Sequence, residues 1–216
     1  THMPGESVED LIFGVEIEFM CHEDRFYPVN LYGLWKDLLP NLACNDNHDK
    51  GELRASFCFA YDSSVAKRAN WPDEKTKIWR GHELVSPVFG IKDLGQFRDV
   101  CAFLQTIGAR VSPTCGMHVH VGFKTAQSPL RYSTMWEHFL KIRDRTTWEE
   151  RLTYCNPELP ATEHHALIQH RSGSRYEVRC FNASLKFRAI QNAVWSCARQ
   201  AVAPLYTRSG PLLSTG

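Results

Sequence analysis

The sequence predicts an α+β fold, a sheet with helices packed on one face, and three observations predict it. Short segments alternate charged and apolar residues with the period of two that a half-buried strand requires. Between them lie segments with apolar residues every three or four positions, the spacing of amphipathic helices. No internal repeat, low-complexity tract or interdomain linker divides the 216 residues. Residues 4–206 therefore read as one domain and 207–216 as a mobile tail, while Thr1-His2-Met3 reads as a cloning scar.

Leu11 to Phe19 is the first strand, with Phe13, Val15, Ile17 and Phe19 on one face and Glu16 and Glu18 on the other. After a loop holding Pro28, Leu31 to Leu39 has helical spacing and stops at Pro40. Residues 41–76 are rich in charge and turn formers around one short strand, Ala55 to Tyr61. Ile78 to Pro87 resumes an extended pattern that contains Glu83. From Asp93 to Gly108, Leu94, Phe97, Val100, Cys101, Leu104 and Ile107 mark a helix that Asp93 can cap at its start and Gly108 at its end. Val111 to Phe123 is extended, interrupted by Pro113, and carries His118 and His120. Pro129 to Tyr154 spaces Trp136, Phe139, Leu140 and Trp148 as a long helix. Arg175 to Phe181 is a strand with Glu177 and Arg179 on one face, and Leu185 to Ala203 closes the domain as a helix with Ile190, Ala193, Val194, Cys197 and Ala201 on one side.

At 43% hydrophobic and 23% charged, the chain can build a sizeable core. A net charge of +1 gives no overall field for a nucleic-acid or membrane partner, so any affinity for anions is local. No run reaches the length of a membrane span, and the chain reads as soluble and cytoplasmic. The eight cysteines are scattered without a CxxC, so they read as reduced, small apolar residues rather than a zinc or disulfide framework.

The chemistry concentrates on the charged strand faces. Glu16-x-Glu18 sets two carboxylates on one side of a strand whose flanks are strongly apolar, and such a pair suits a hard divalent cation. On an exposed strand the same pair would mean little. His118-x-His120 has a known ligand spacing, although two hydrogen-bonded core histidines would look the same. Glu177-x-Arg179 joins a metal acceptor to a guanidinium able to grip phosphate oxygens, with Lys186 and Arg188 close behind; its plain alternative is a salt bridge. Gathered on one sheet face, these groups need a cation or polyanion to offset their mutual repulsion. His164, His165 and His170 match no ligand spacing and read as exposed loop residues.

Taken in order, Phe13-Gly14-Val15-Glu16-Ile17-Glu18-Phe19, Asp62-Ser63-Ser64, Glu83-Leu84-Val85-Ser86-Pro87, Cys115-Gly116-Met117-His118-Val119-His120-Val121-Gly122 and Glu177-Val178-Arg179 resemble the amidoligases, a group among the glutamine synthetase-like carboxylate-amine ligases. The resemblance spans most of the chain. It implies a glutamine synthetase-like catalytic fold, a mostly antiparallel curved sheet whose curved face holds ATP and two or more Mg²⁺ ions, with Mn²⁺ as a substitute. It also implies that Glu16, Glu18, Glu83 and Glu177 bind metal, that His118 and His120 help hold metal or nucleotide, and that Arg179 and Arg188 bind phosphates. Glu83, Glu177 and Arg179 would then stand closest to the reaction. In that reaction a substrate carboxylate attacks the γ-phosphate of ATP, and an amine, on a small molecule or peptide, captures the acyl phosphate as an amide. Asp62-Ser63-Ser64 departs from the family's Asp-Gly-Ser pattern, and the stretch between the two last motifs is short.

Three other functions fit the same residues. A phosphotransferase would keep the fold and change the acceptor. A zinc hydrolase would use His118 and His120 to hold the metal of a nucleophilic water. A nucleotide-binding module would keep the site without catalysis.

Overall fold

In the computed structural model of the chain, residues 7–22, 28–45, 55–62, 65, 79–124, 132–149, 155, 167–169 and 175–206 are described. Among them, seven strands form one sheet: β1 (Leu11–His22), β2 (Cys44–Asn45), β3 (Phe57–Tyr61), β4 (Trp79–Val85), β5 (Gly116–Phe123), β6 (Leu167–Gln169) and β7 (Arg175–Asn182). Their spatial order is β2-β3-β4-β1-β5-β7-β6. Every neighbouring pair is antiparallel except β2 with β3. The helices are α1 (Pro28–Leu38), α2 (Phe97–Thr106), α3 (Tyr132–Thr146) and α4 (Phe187–Tyr206). The α+β class agrees with the sequence reading, and the mostly antiparallel sheet with what the resemblance implies.

The central strand β1 shows why the two faces differ. Its odd-numbered residues Leu11, Phe13, Val15, Ile17 and Phe19 are buried, and the intervening Ile12, Gly14, Glu16 and Glu18 are partly exposed. All four helices join one apolar core with that odd-numbered face. Trp35 of α1 packs against Phe57 and Phe59 of β3 and Phe103 of α2, and its indole N–H donates to Leu42 O at 2.8 Å. Phe139 of α3 meets Phe181 of β7 edge-on, while Ile190, Val194, Cys197 and Ala198 of α4 are fully buried. The helical layer therefore leaves Glu16 and Glu18 of β1 on the opposite face. No described helix is long and apolar enough to cross a membrane, and none of the eight cysteines is in a disulfide.

Several boundaries differ from the sequence reading for identifiable reasons. Pro28 starts α1 rather than sitting in the preceding loop, because proline's fixed φ and missing N–H suit the first helical position. Asp93 caps a 3-10 turn, Ile91–Gln96, by accepting the Gly90 N–H at 3.3 Å, so α2 begins only at Phe97. Gly108, at φ 73°, does end that segment, in a conformation that costs glycine little. The extended run from Val111 is broken by a turn over Ser112–Cys115, and β5 proper starts at Gly116.

The helix expected to reach Tyr154 stops at Thr146. There the Thr147 hydroxyl donates to Cys180 O at 2.7 Å and the Trp148 N–H to Asn182 Oδ1 at 3.2 Å, which draws the chain off the helix onto β7. Trp148 is thus not a helical residue. The short strands β2 and β6 carry no periodic signal of their own and were not anticipated. Thr1 to Met3, Ser63, Ser64, His164, His165, His170 and the tail from residue 207 lie outside the described residues.

Candidate functional site

Strand pairing assembles the polar face. The register sets Glu16 opposite His118, Gly14 opposite His120, Glu18 opposite Glu83, and His120 opposite Glu177. Residues far apart in sequence therefore meet at the middle of the sheet, on β4, β1, β5 and β7.

Glu16 is the hub. Its Oε2 lies 3.2 Å from His118 Nδ1 and its Oε1 3.1 Å from His120 Nε2. His118, only 3% exposed, also has Nδ1 3.6 Å from Glu177 Oε1 and Nε2 3.6 Å from Glu18 Oε1. That Nε2 is buried beyond hydrogen-bond reach of any partner among the described residues. Glu18 is fixed from behind, because its Oε2 accepts the Gly116 N–H at 2.6 Å just past the last β1–β5 pair. The ring of His120 lies over Gly14, where an added Cβ would sit 3.5 Å from the His120 Cβ and 3.7 Å from its Cδ2. A larger side chain there would push the imidazole off Glu16.

The carboxylates carry unequal charge. Burial pushes the Glu83 carboxyl well above the ordinary range, and the nearby Glu16, Glu18 and Asp62 push it further. Its proton bonds to Glu16. Burial also opposes ionisation of Glu16, but hydrogen bonds from His118 and His120 outweigh it and hold that carboxylate well below its usual range. At Glu177 the burial penalty is likewise overcome, here by His118, His120 and the Arg179 guanidinium. Arg179 Nη1 donates to Glu177 Oε1 at 2.7 Å.

Two overlapping groups of ligand atoms lie within 4.8 Å of one another: Glu16, His120 and Glu177, and Glu16, Glu83 and His118. Glu16 belongs to both. Each group offers two carboxylates and one imidazole, an oxygen-rich set that suits Mg²⁺ or Mn²⁺ better than a structural zinc. The structure thus brings together seven of the eight residues singled out in the sequence. Arg188 is the exception: it is exposed on α4, in the helical layer whose buried residues pack on the opposite sheet face.

The family model described as "Putative amidoligase enzyme" matches residues 9–160 of the chain. The chain belongs to this amidoligase family. No curated protein shows a significant match. The amidoligase match includes Glu16, Glu18, Glu83, His118 and His120 but ends before Glu177 and Arg179. These last two join the site through the pairing of β7 with β5.

Asp62, named in the sequence only within the Asp62-Ser63-Ser64 motif and given no role there, acts by its charge on Glu83 across the β3–β4 pair. More hidden is an irregularity in β7. Met117 pairs with Phe181 and Val119 with Val178, so two residues of β7, Arg179 and Cys180, stand opposite the single His118. The one sequence trace of this bulge is the adjacent apolar pair Cys180-Phe181, which breaks the alternation of the strand.

Proposed function

We propose that this amidoligase is an ATP- and Mg²⁺-dependent carboxylate-amine ligase on a glutamine synthetase-like fold, joining a carboxylate to an amine on a small molecule or peptide. The observation that carries the reading is Glu16, shared between two groups of ligand atoms. A carboxylate placed between two sites is what paired cations on a polyphosphate require. The buried His118 Nε2 with no hydrogen-bond partner among the described residues, and the proton held on Glu83 by burial and by its anionic neighbours, are both signs of a site shaped for positive charge. Glu16, Glu83 and His118 would hold one ion and Glu16, His120 and Glu177 the other, with Glu18 beside them. Bound there, Mg²⁺ would screen the repulsion between ATP and an attacking carboxylate.

The chain's own residues account for the rest. Arg179, locked to Glu177, presents a fixed positive charge for phosphate oxygens. With a cation bound there, Glu83 would be held as a carboxylate, the ion taking the place of its proton as the neutralising charge. The acyl phosphate forms as the substrate carboxylate displaces ADP from the γ-phosphoryl group, and an uncharged amine then displaces phosphate.

The test uses hydroxylamine as a strong surrogate amine. Purified protein with ATP, Mg²⁺ and a panel of carboxylates should release ADP and form a hydroxamate with the true substrate. ADP release with a stable phosphorylated product and no hydroxamate would make the protein a phosphotransferase. ATP-independent hydrolysis with bound stoichiometric zinc would overturn the ligase reading. The geometry does not favour that zinc site, because His118 and His120 fall in different groups of ligand atoms.

A further inference from the structure

The β7 bulge is held by two side chains from outside the sheet, and neither has a role in the site as described so far. At a bulge the ladder is disrupted and backbone groups need other partners. Here the carbonyls of both bulged residues are taken by side chains: the Cys155 thiol donates to Arg179 O at 2.9 Å and the Thr147 hydroxyl to Cys180 O at 2.7 Å. Both contacts lie past the last pair of β6 with β7 among the described residues, Leu167 with Val178. They are themselves anchored. Arg143 Nε donates to Cys155 O, and Asn182 Nδ2 donates to Thr146 O while its Oδ1 accepts the Trp148 N–H.

From these contacts we infer that Thr147 and Cys155 are positioning residues for the Glu177–Arg179 pair. They fix the backbone on which Arg179 is carried and which aims Glu177 at His118 and His120, and so set the geometry of the second ion site. Neither touches the reacting atoms. The inference rests on the proposed cation site; groups that bond a ligand directly change metal affinity by about 10-fold to 100-fold when removed, and Thr147 and Cys155 act one step further out, on the backbone beside Glu177, so the low end of that range applies. The expected effect of losing either is about a 10-fold weaker metal affinity.

The test measures Mn²⁺ affinity by electron paramagnetic resonance, and the ring resonances of His118 by NMR, in the wild type, Thr147→Val, Thr147→Ser, Cys155→Ala, Cys155→Ser and Glu16→Gln. Thr147→Val and Cys155→Ala should weaken Mn²⁺ by about 10-fold and shift the His118 ring signals. The serine variants, which keep a hydroxyl donor, should restore both, and they keep the test open if a donor-free variant fails to fold. If the wild type and Glu16→Gln both fail to bind Mn²⁺, the cation reading falls, and the positioning role is still decided by the His118 resonances. Wild-type ring signals and unchanged Mn²⁺ binding in folded Thr147→Val and Cys155→Ala would overturn it, as would serine variants no better than these.

Discussion

His82 is alternate in β4 to the site and faces the helices. It is fully buried, stacks on Phe19 with ring centroids 5.6 Å apart, and meets Tyr61 edge-on at 6.1 Å. Neither ring nitrogen has a hydrogen-bond partner among the described residues. Burial, with the nearby Arg80 charge, lowers its pKa from 6.5 to about 4. The fold therefore favours the neutral ring. Its stabilising contribution is complete above pH 6.5 and is lost as the pH falls towards 4, because the unfolded chain gains a proton that the folded chain refuses. The full shift corresponds to about 3.4 kcal/mol, of which about 2.5 kcal/mol is lost by pH 4.5. His82→Phe preserves the stack and removes the titration. Any overpacking cost, about 1–3 kcal/mol, applies equally at both pH values. Urea unfolding at pH 7 and pH 4.5 should show the wild type losing about 2.5 kcal/mol more than the variant between the two conditions. Equal losses would refute the claim that His82 is held neutral by burial.

Other outcomes follow from the site. In the presence of a chelator the wild type should melt at lower temperature as pH rises above the ordinary carboxylate range. The raised Glu83 pKa means that the folded state must give up a proton it holds more tightly than the unfolded chain does. Glu83→Gln, which keeps a donor to Glu16, should flatten that fall in scanning fluorimetry. Addition of Mg²⁺ should raise the melting temperature, by about 2.7 kcal/mol of stability at a concentration 100 times Kd, and Glu16→Gln should abolish the rise. Gly14→Leu should impair Mn²⁺ binding through His120 while Gly14→Ala, at ordinary contact distance, should not; similar Mn²⁺ affinities would show that His120 is not held where the structure puts it. Trp35→Ala should cost about 3–5 kcal/mol in urea unfolding, since the indole fills the junction of α1, α2 and β3.

Much of this architecture was legible because alternation and helical spacing are local signals. The Phe13–Phe19 pattern identified a strand with two chemically different faces, and the spacing from Leu94 to Ile107 identified a helical segment. Glu16, His118 and Glu177 were each recognisable as candidates by their place on a strand. Their meeting depends on register, which no single segment encodes. Pairing of β1 with both β4 and β5 brings Glu83 and the histidines to Glu16. The end of α3 was misplaced because tertiary hydrogen bonds from Thr147 and Trp148 override the helical spacing of the segment. The β7 bulge, and with it the roles of Thr147 and Cys155, leaves almost no local trace. Arg188 looked close to Arg179 in sequence, but the helix that carries it packs on the other side of the sheet.

The central claim is that the Glu16 cluster binds a nucleotide through divalent cations. Calorimetric titration with ATP, in Mg²⁺ and in EDTA, of the wild type and Glu16→Gln tests it most directly. The account predicts binding by the wild type in Mg²⁺ alone, lost in EDTA and in the folded variant. No binding in Mg²⁺, or binding that survives both EDTA and Glu16→Gln, would contradict it.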